Sequence, residues 1–345
     1  MKRRSFESVA VIAVILAALP SLLAAGEPTT DSIKQADDLF RSGEFAEAER
    51  AYAAVLAKEA SNSRAVLRLG EIALFGNRFE DAERHLKRAI ELRPDDKRAK
   101  FMLAECYYRQ DDFRQAVPLL RSAGSKVKAD KLASFEGLTP YEILGKADTI
   151  RVKLVRTDPI PIIKARINGG EEILLEIDTG ATEVVVDAEL ARSIGAPQFG
   201  STEGYYAGGN KALRHHARID SLRIGDFDIR NIPVVTRDMS RSPMAAQGID
   251  VKGMIGMVLF YHFIPTLDYP KGELVLRRRT EQALADLDRE VQTGRTHVIP
   301  AWMADDHILV AWGTVEGARC LMFADTGMLG GGFLCPEVPV RRSPS

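Results

Sequence analysis

The stretch LLEIDTGATEVVV, residues 174–186, leads an apolar run into the triplet Asp178-Thr179-Gly180 and leaves it in a β-branched run. The same triplet recurs as Asp325-Thr326-Gly327 in FADTGMLGGGF, residues 323–333. Short apolar runs bounded by glycine predict strands, so each triplet is predicted to be a sharp turn after a strand. A carboxylate held rigidly in such a turn suits general acid–base work on a water molecule.

The sequence before the first triplet predicts a hairpin. Asn168-Gly169 separates the strand-like runs PIIKARI and EEILLEI, and Asn-Gly is a strong signal for a two-residue hairpin turn. The second strand of this hairpin leads directly to Asp178. Because further short strands and turn signals follow, residues 150–280 are predicted to form a mainly β domain.

Further motifs follow Asp178 in a definite order. They are GYYAGG at residues 204–209, the hairpin-like SLRIGDFDIRNIPVVTRD at 221–238, and the apolar-apolar-Gly element Met254-Ile255-Gly256. Together with Asp-Thr-Gly-Ala-Thr, they resemble one whole lobe of the retropepsin-like aspartic proteases. The resemblance implies a glycine-rich flap at residues 204–209 and an element that crosses behind the catalytic turn at residues 254–256.

The resemblance also implies the chemistry of the site. Two aspartates close enough to share one proton cannot both ionise easily, so one acts as an acid while the other activates water. Neither a metal nor an organic cofactor is expected, and the implied substrate is a peptide or protein. The residues it assigns are catalytic Asp178 and Asp325; the turn residues Thr179, Gly180, Ala181, Thr326 and Gly327; the flap residues Tyr205, Tyr206, Gly208 and Gly209; and the structural residues Met254, Ile255 and Gly256. Packing on the β surface is an equal alternative for the two tyrosines.

The second triplet indicates a second, partial lobe. Residues 308–325 align without a gap on residues 161–178, after a charged, helix-like connector at 281–296. Only eighteen residues follow Gly327, against about 130 in the first lobe, so residues 297–345 are predicted to be a truncated lobe. Three arrangements stay open: Asp178 pairs with Asp325, Asp178 pairs with Asp178 of a second chain in a homodimer, or no competent dyad forms.

The N-terminal half repeats itself at a shift of 34 residues. The matching columns are Ala36, Gly70 and Ala104; Phe45, Phe79 and Phe113; and Ala48, Ala82 and Ala116. Small and large apolar residues at this period resemble tetratricopeptide repeats, which implies an α-solenoid of three helix pairs over residues 31–124. The concave face of such an array either binds a protein partner or serves as a spacer. Residues 125–149 are predicted to be a capping helix and a linker.

The N-terminus and composition limit the location and the partners. Residues 1–25 have a basic start, an apolar run and small residues near Ala25, which predicts a secretory signal peptide and a periplasmic or extracellular protein. An uncleaved anchor at residues 9–25 is the alternative. The net charge of −1 argues against a nucleic-acid partner. A disulfide between Cys320 and Cys335 is open, with single buried thiols as the alternative.

The predicted fold class is therefore multidomain α + β: a tetratricopeptide solenoid, a mainly-β retropepsin-like acid protease lobe and a partial second lobe. The predicted function is an exported aspartic endopeptidase whose repeats recruit substrate or a partner. A non-catalytic peptide-binding protein with an incomplete protease domain is the alternative. His215-His216 lacks a third ligand at metal-site spacing, so we expect a solvated strand there.

Overall fold

The computed structural model describes residues 30–206, 210–240, 242–294, 297–304 and 307–328. The predicted signal peptide, the tip of the predicted flap and Cys335 lie outside these residues. The chain begins with helical hairpins, whose helices are α1 Thr30–Arg41, α2 Phe45–Lys58, α3 Ser63–Phe75, α4 Phe79–Leu92, α5 Lys97–Tyr108 and α6 Phe113–Ala123. A further helix, α7 Lys126–Ala133, packs against α6.

The repeated columns of the sequence form the core of these hairpins. Ala48, Ala82 and Ala116 are fully buried. Gly70 takes the place of an alanine because a Cβ there would lie 2.7 Å from Cγ of Leu86 on the neighbouring helix. Close helix approach therefore explains the small residues of the period.

Side-chain caps set several of the helix starts. Asn62 accepts a hydrogen bond from the Ala65 amide, Asp96 accepts from the amides of Arg98 and Ala99, and Asp112 accepts from the Gln115 amide. These bonds satisfy amides that lack partners within their own helices, which fixes where each helix begins.

The β region starts inside the segment that the sequence predicts to be a linker. Strand β1 Glu142–Leu144 is only three residues long, and it pairs antiparallel with a later strand, β8 Phe227–Arg237. The main sheet has eight strands within the described residues, in the order β1-β8-β5-β9-β4-β3-β7-β6. Its other strands are β3 Ile162–Ile167, β4 Glu172–Ile177, β5 Val184–Asp187, β6 Gln198–Tyr206, β7 Asn210–Ile224 and β9 Val251–Ile255. Short helices α8 Ala188–Ser193 and α9 Met257–Phe260 follow β5 and β9.

Turn chemistry sets the hairpin that leads to the first triplet. Asn168 and Gly169 both have positive φ, 49° and 71°, and the Gly170 amide donates to the Ile167 carbonyl at 2.9 Å. Positive φ at both central positions matches the right-handed twist of the flanking strands, which is why Asn-Gly suits this site. The Asn168 side chain also accepts from the amides of Asp220 and Ser221 and so ties the turn to β7.

Two smaller sheets complete the described fold. The first has the order β10-β11-β2 and contains β2 Thr149–Lys153, β10 Phe263–Asp268 and β11 Glu273–Arg278. Helix α10 Glu281–Gln292 then leads to the second sheet, β12 Ala301–Ala304, β13 Ile308–Val315 and β14 Ala318–Phe323. We call residues 297–328 the second half-site segment. Its last strand ends two residues before Asp325.

The fold class is thus multidomain α + β, with tetratricopeptide-type repeats followed by a β-rich, protease-like region, as the sequence predicts. None of the described helices is long and apolar enough to cross a membrane.

Candidate active site

The first triplet forms a turn that is fixed by the main chain on both sides. Strand β4 delivers Asp178, whose amide donates to the Ile255 carbonyl at 3.1 Å. The Ala181 amide donates back to the Asp178 carbonyl at 3.1 Å, and the Gly180 amide donates to Oδ1 of the Asp178 carboxyl at 2.8 Å. The backbone of the turn therefore orients the Asp178 carboxyl.

The apolar-apolar-Gly element lies directly behind this turn. Strand β9 runs parallel to β4, with Ile255 opposite Ile177, and the amide of Met257 donates to the Ala181 carbonyl at 2.9 Å. A Cβ on Gly256 would lie 2.7 Å from that same carbonyl oxygen. Only glycine fits at this crossing of residues 254–256 with the first turn.

The second triplet has the same local geometry as the first. Strand β14 leads to Asp325, and the Gly327 amide donates to Oδ1 of the Asp325 carboxyl at 2.8 Å. The Ala324 amide before it donates to the Leu309 carbonyl at 2.9 Å. The alignment of residues 308–325 on the first lobe is thus matched by a strand followed by an equivalent turn.

The two triplets contact each other through their threonines. The Thr179 amide donates to Oγ1 of Thr326 at 3.0 Å, and the Thr326 amide donates to Oγ1 of Thr179 at 2.9 Å. Each hydroxyl also donates across the contact, from Thr326 to the Ile177 carbonyl at 2.8 Å and from Thr179 to the Ala324 carbonyl at 3.0 Å. This reciprocal set of four bonds joins turns that are 147 residues apart. Within the structure, the two turns belong to one chain, so this contact does not draw on a second copy.

The glycines of the triplets leave space for the opposite carboxyl group. A Cβ on Gly180 would lie 2.7 Å from Cγ of Asp325, and a Cβ on Gly327 would overlap the Asp178 carboxyl. A side chain at either position would separate the turns. The triplet therefore needs glycine for the approach of two aspartates as well as for the turn itself.

The environment raises the pKa of the Asp178 carboxyl. Burial is the largest cause, and the neighbouring Asp325 charge and a hydrogen bond to Asp325 add to it, giving a pKa of about 6. The charged form is disfavoured because it would be poorly solvated and would face a second carboxylate. The pair can thus hold one proton under mildly acidic conditions, as acid–base work by a carboxyl dyad requires.

A third carboxyl, Glu176, precedes Asp178 by two residues on β4 and is not among the site residues predicted from the sequence. Glu176 is 2% exposed, and its Oε1 has no hydrogen-bond partner. Burial, together with the charge of Asp178, raises the Glu176 pKa to about 7. Its signal in the sequence is a single charged residue in the apolar strand LLEI.

A fourth carboxyl, Glu183, follows the first triplet by a few residues and is held from outside the β domain. It accepts hydrogen bonds from the Tyr108 hydroxyl at 2.6 Å and from Nζ of Lys131 at 2.5 Å. The Glu183 pKa lies well below its usual range because the nearby Lys131 and Lys128 charges outweigh the cost of burial. Tyr108 lies on α5 and Lys131 on α7, so the helical region contacts the segment that follows the first triplet.

The remaining predicted site residues have mixed outcomes. The backbone of Tyr205 and Tyr206 belongs to β6, opposite Lys211 and Asn210 of β7, as a hairpin flap requires. The side chains of both tyrosines, and all of Gly208 and Gly209, lie outside the described residues, so their flap role stays a prediction.

The histidine pair is only partly a solvated strand. His215 is exposed, but His216 is 8% exposed and contacts the Thr202 hydroxyl at 2.8 Å. Burial lowers the His216 pKa to about 4, so the ring is neutral. Among the described residues, no group of three or more His, Cys, Asp or Glu side chains is arranged to hold a metal ion.

Comparison with known families agrees with this architecture. Residues 163–259 match the aspartyl protease family, and residues 39–91 and 77–133 match the tetratricopeptide repeat. Both resemblances expected from the sequence are confirmed. The protease match contains Asp178 and ends before Asp325. A search of curated proteins found no match.

Solved structures similar to this chain include a protease and a secretion chaperone. One is a retropepsin-like aspartic protease from Rickettsia conorii, with 21% identity, 40% of this chain and 96% of that chain covered, and a TM-score of 0.29. Another is the type III secretion translocator chaperone SycD from Yersinia enterocolitica, with 18% identity, 30% and 78% covered, and a TM-score of 0.28.

Proposed function

We propose that this chain is an exported aspartic endopeptidase whose catalytic aspartates, Asp178 and Asp325, come from one polypeptide. The reciprocal hydrogen bonds between Thr179 and Thr326 carry the proposal, because they hold two aspartate turns against each other. A single chain then supplies both carboxyls, and a homodimer is not needed to complete the dyad.

The chemistry follows from one proton shared by two carboxyls. The carboxylate takes a proton from a water molecule whose oxygen attacks the carbonyl carbon of the peptide, while the protonated carboxyl donates its proton to the carbonyl oxygen. The resulting gem-diol collapses when a carboxyl protonates the leaving nitrogen and the other recovers a proton from a diol hydroxyl. The products are a new carboxyl and a new amino terminus, and the dyad again holds one proton. The raised pKa of Asp178 favours it as the starting acid.

The glycine-rich hairpin and the repeat array are proposed to handle the substrate. The β6–β7 hairpin would cover a peptide that lies across the dyad, with Tyr205 and Tyr206 at its tip. The concave face of the repeats would bind a protein partner or substrate, as such arrays commonly do. Export rests on the signal-like residues 1–25.

A peptidase assay tests the proposed function. Purified wild type, Asp178→Asn and a matched surface variant, Asp250→Asn, are incubated with a mixture of unrelated peptides between pH 3 and 7, and the products are identified by mass. Wild type and Asp250→Asn should cleave, and Asp178→Asn should not. Peptide cleavage that persists in Asp178→Asn would contradict the proposed function.

A peptide-binding protein without catalysis is the second candidate. The size of the second half-site segment favours it, since one three-stranded sheet is described there against the eight-stranded sheet of the first lobe. If wild type binds peptides between pH 3 and 7 and cleaves none, this candidate replaces the protease.

A further inference from the structure

The second half-site segment has little core of its own. Within its described residues, the buried apolar side chains are Met303 and Val310. Its three strands pair with one another, and no pairing with the eight-stranded sheet occurs in the described part of the chain. A small antiparallel sheet of this kind needs an external surface to pack against before it can hold a residue in place.

The repeat array provides that surface at one edge. We call this edge the turn edge: it consists of the three turns that join the two helices of each repeat, at residues 42–44, 76–78 and 109–112. Trp302 of β12 packs edge-on against Phe45, next to the first turn, with ring centroids 5.4 Å apart. The same indole lies over Gly76 in the second turn.

Polar contacts extend this packing along the turn edge. Arg109 in the third turn donates to the Met303 carbonyl at 3.1 Å, and the same guanidinium donates to the Leu74 carbonyl at 2.9 Å. In the first turn, the Glu44 carboxylate accepts from Nη2 of Arg319 on β14 at 3.1 Å. All three turns therefore contribute to holding the same small sheet.

Tyr108 connects this interface to the other catalytic turn. Its hydroxyl donates to Glu183, five residues after Asp178, while its ring meets the ring of His307 at 5.9 Å in an edge-on contact. His307 is 1% exposed and immediately precedes β13. A single side chain of the array thus touches elements from both halves of the site.

We propose that the repeat array is an internal clamp: its turn edge positions the second half-site segment against the first lobe. Tyr108 is a positioning residue of this clamp. The catalytic consequence rests on the proposed function, but the clamping itself does not. The chain itself occupies the turn edge, so a partner protein would bind the concave face of the repeats.

Hydrogen exchange in the full chain tests the clamp without requiring activity. The Thr326 amide donates to Oγ1 of Thr179 across the contact, so exchange in a peptide spanning residues 321–328 reports whether the half-sites remain joined. Trp302→Ala should speed exchange there by about tenfold or more, whereas α3 and α5 should stay protected. The matched control is Tyr269→Ala, an exposed aromatic in the β10–β11 turn, which should leave exchange at 321–328 unchanged.

Two further variants distinguish loss of the clamp from general unfolding of the protein. Trp302→Phe keeps an aromatic ring on Phe45 and should restore most of the protection. Glu44→Gln removes the charge of a partly exposed carboxylate that accepts from Arg319. It should also speed exchange at residues 321–328, by a smaller factor than Trp302→Ala. Unchanged exchange at 321–328 in both Trp302→Ala and Glu44→Gln would overturn the clamp.

Kinetics separates the role of Tyr108 from general stability. Tyr108→Phe keeps the ring against His307 and removes the hydrogen bond to Glu183. It should lower kcat for a cleaved peptide by about tenfold with little change in KM, because the dyad is misplaced while peptide contacts remain. An unchanged kcat would refute the positioning role. If the exchange results hold but wild type cleaves no peptide, the clamp stands and the proposed function fails.

Discussion

The threonine contact between the two triplets offers the sharpest test of how the site is held together. Thr326→Val replaces the hydroxyl by a methyl group of similar size and keeps the β-branched shape. It removes the bond that Oγ1 accepts from the Thr179 amide at 3.0 Å and the bond it donates to the Ile177 carbonyl at 2.8 Å. The two bonds made through Thr179 Oγ1 remain available.

The cost of this change follows from the two bonds lost. Each net hydrogen bond contributes about 1 kcal/mol, and an amide left without a partner adds to the loss, so the total is about 2–3 kcal/mol. If the joined half-sites are the competent state, this converts into a fall of about 30- to 150-fold in kcat/KM. Thr326→Ser keeps the hydroxyl and should stay close to wild type.

The assay is the steady-state cleavage of one peptide at pH 5 by wild type, Thr326→Val, Thr326→Ser and Thr179→Val. Thr179→Val should match Thr326→Val, because the two hydroxyls make equivalent bonds. A Thr326→Val enzyme within twofold of wild type would refute the reasoning that these bonds hold the dyad.

Four further predictions concern the carboxyls and the turn glycine. Peptide cleavage should be fastest in acid and decline as pH rises past about 6, because the dyad then loses its shared proton; a pH profile of kcat/KM checks this. Carboxyl NMR should find a lower Asp178 pKa in Asp325→Asn, since the neighbouring charge is gone. The pKa of Glu176 is raised to about 7 in the folded protein, so wild type loses stability as pH rises from the ordinary carboxyl pKa towards 7, and the loss levels off above 7. Glu176→Gln should therefore gain about 2–3 kcal/mol over wild type between pH 5 and pH 8 in urea unfolding. Gly180→Ala should abolish cleavage, whereas Ala181→Ser should not, because only the former pushes a Cβ into the Asp325 carboxyl.

Local signals explain what the sequence could predict. The repeat period requires small residues such as Gly70 wherever two helices meet, and the Asn168-Gly169 turn is determined by its own φ angles. The two aspartate turns are likewise recognisable from the residues immediately around them. Helix and strand types therefore followed from the pattern, as did the candidate catalytic residues.

Contacts between distant segments explain what the sequence could not predict. Thr179 and Thr326 are 147 residues apart, so the sequence favours a pairing of Asp178 with Asp325 but leaves open a pairing between two chains and the absence of a competent dyad. The hydrogen bonds of Glu183 to Tyr108 and Lys131 join the β domain to the helical region. Each region has a sequence pattern of its own, and neither pattern predicts a contact with the other. Strand β1 is too short at three residues to display a period. His216 is buried only because neighbouring elements cover its strand.

The central claim is that one chain supplies both aspartates, and a mixing experiment tests it most directly. Asp178→Asn and Asp325→Asn are purified separately, assayed alone, and then assayed after being unfolded and refolded together, with wild type taken through the same steps. A dyad built within one chain predicts that both variants and their mixture are inactive while refolded wild type cleaves. Activity that returns in the mixture would mean that the dyad spans two chains, and activity in Asp325→Asn alone would mean that Asp325 is not part of it.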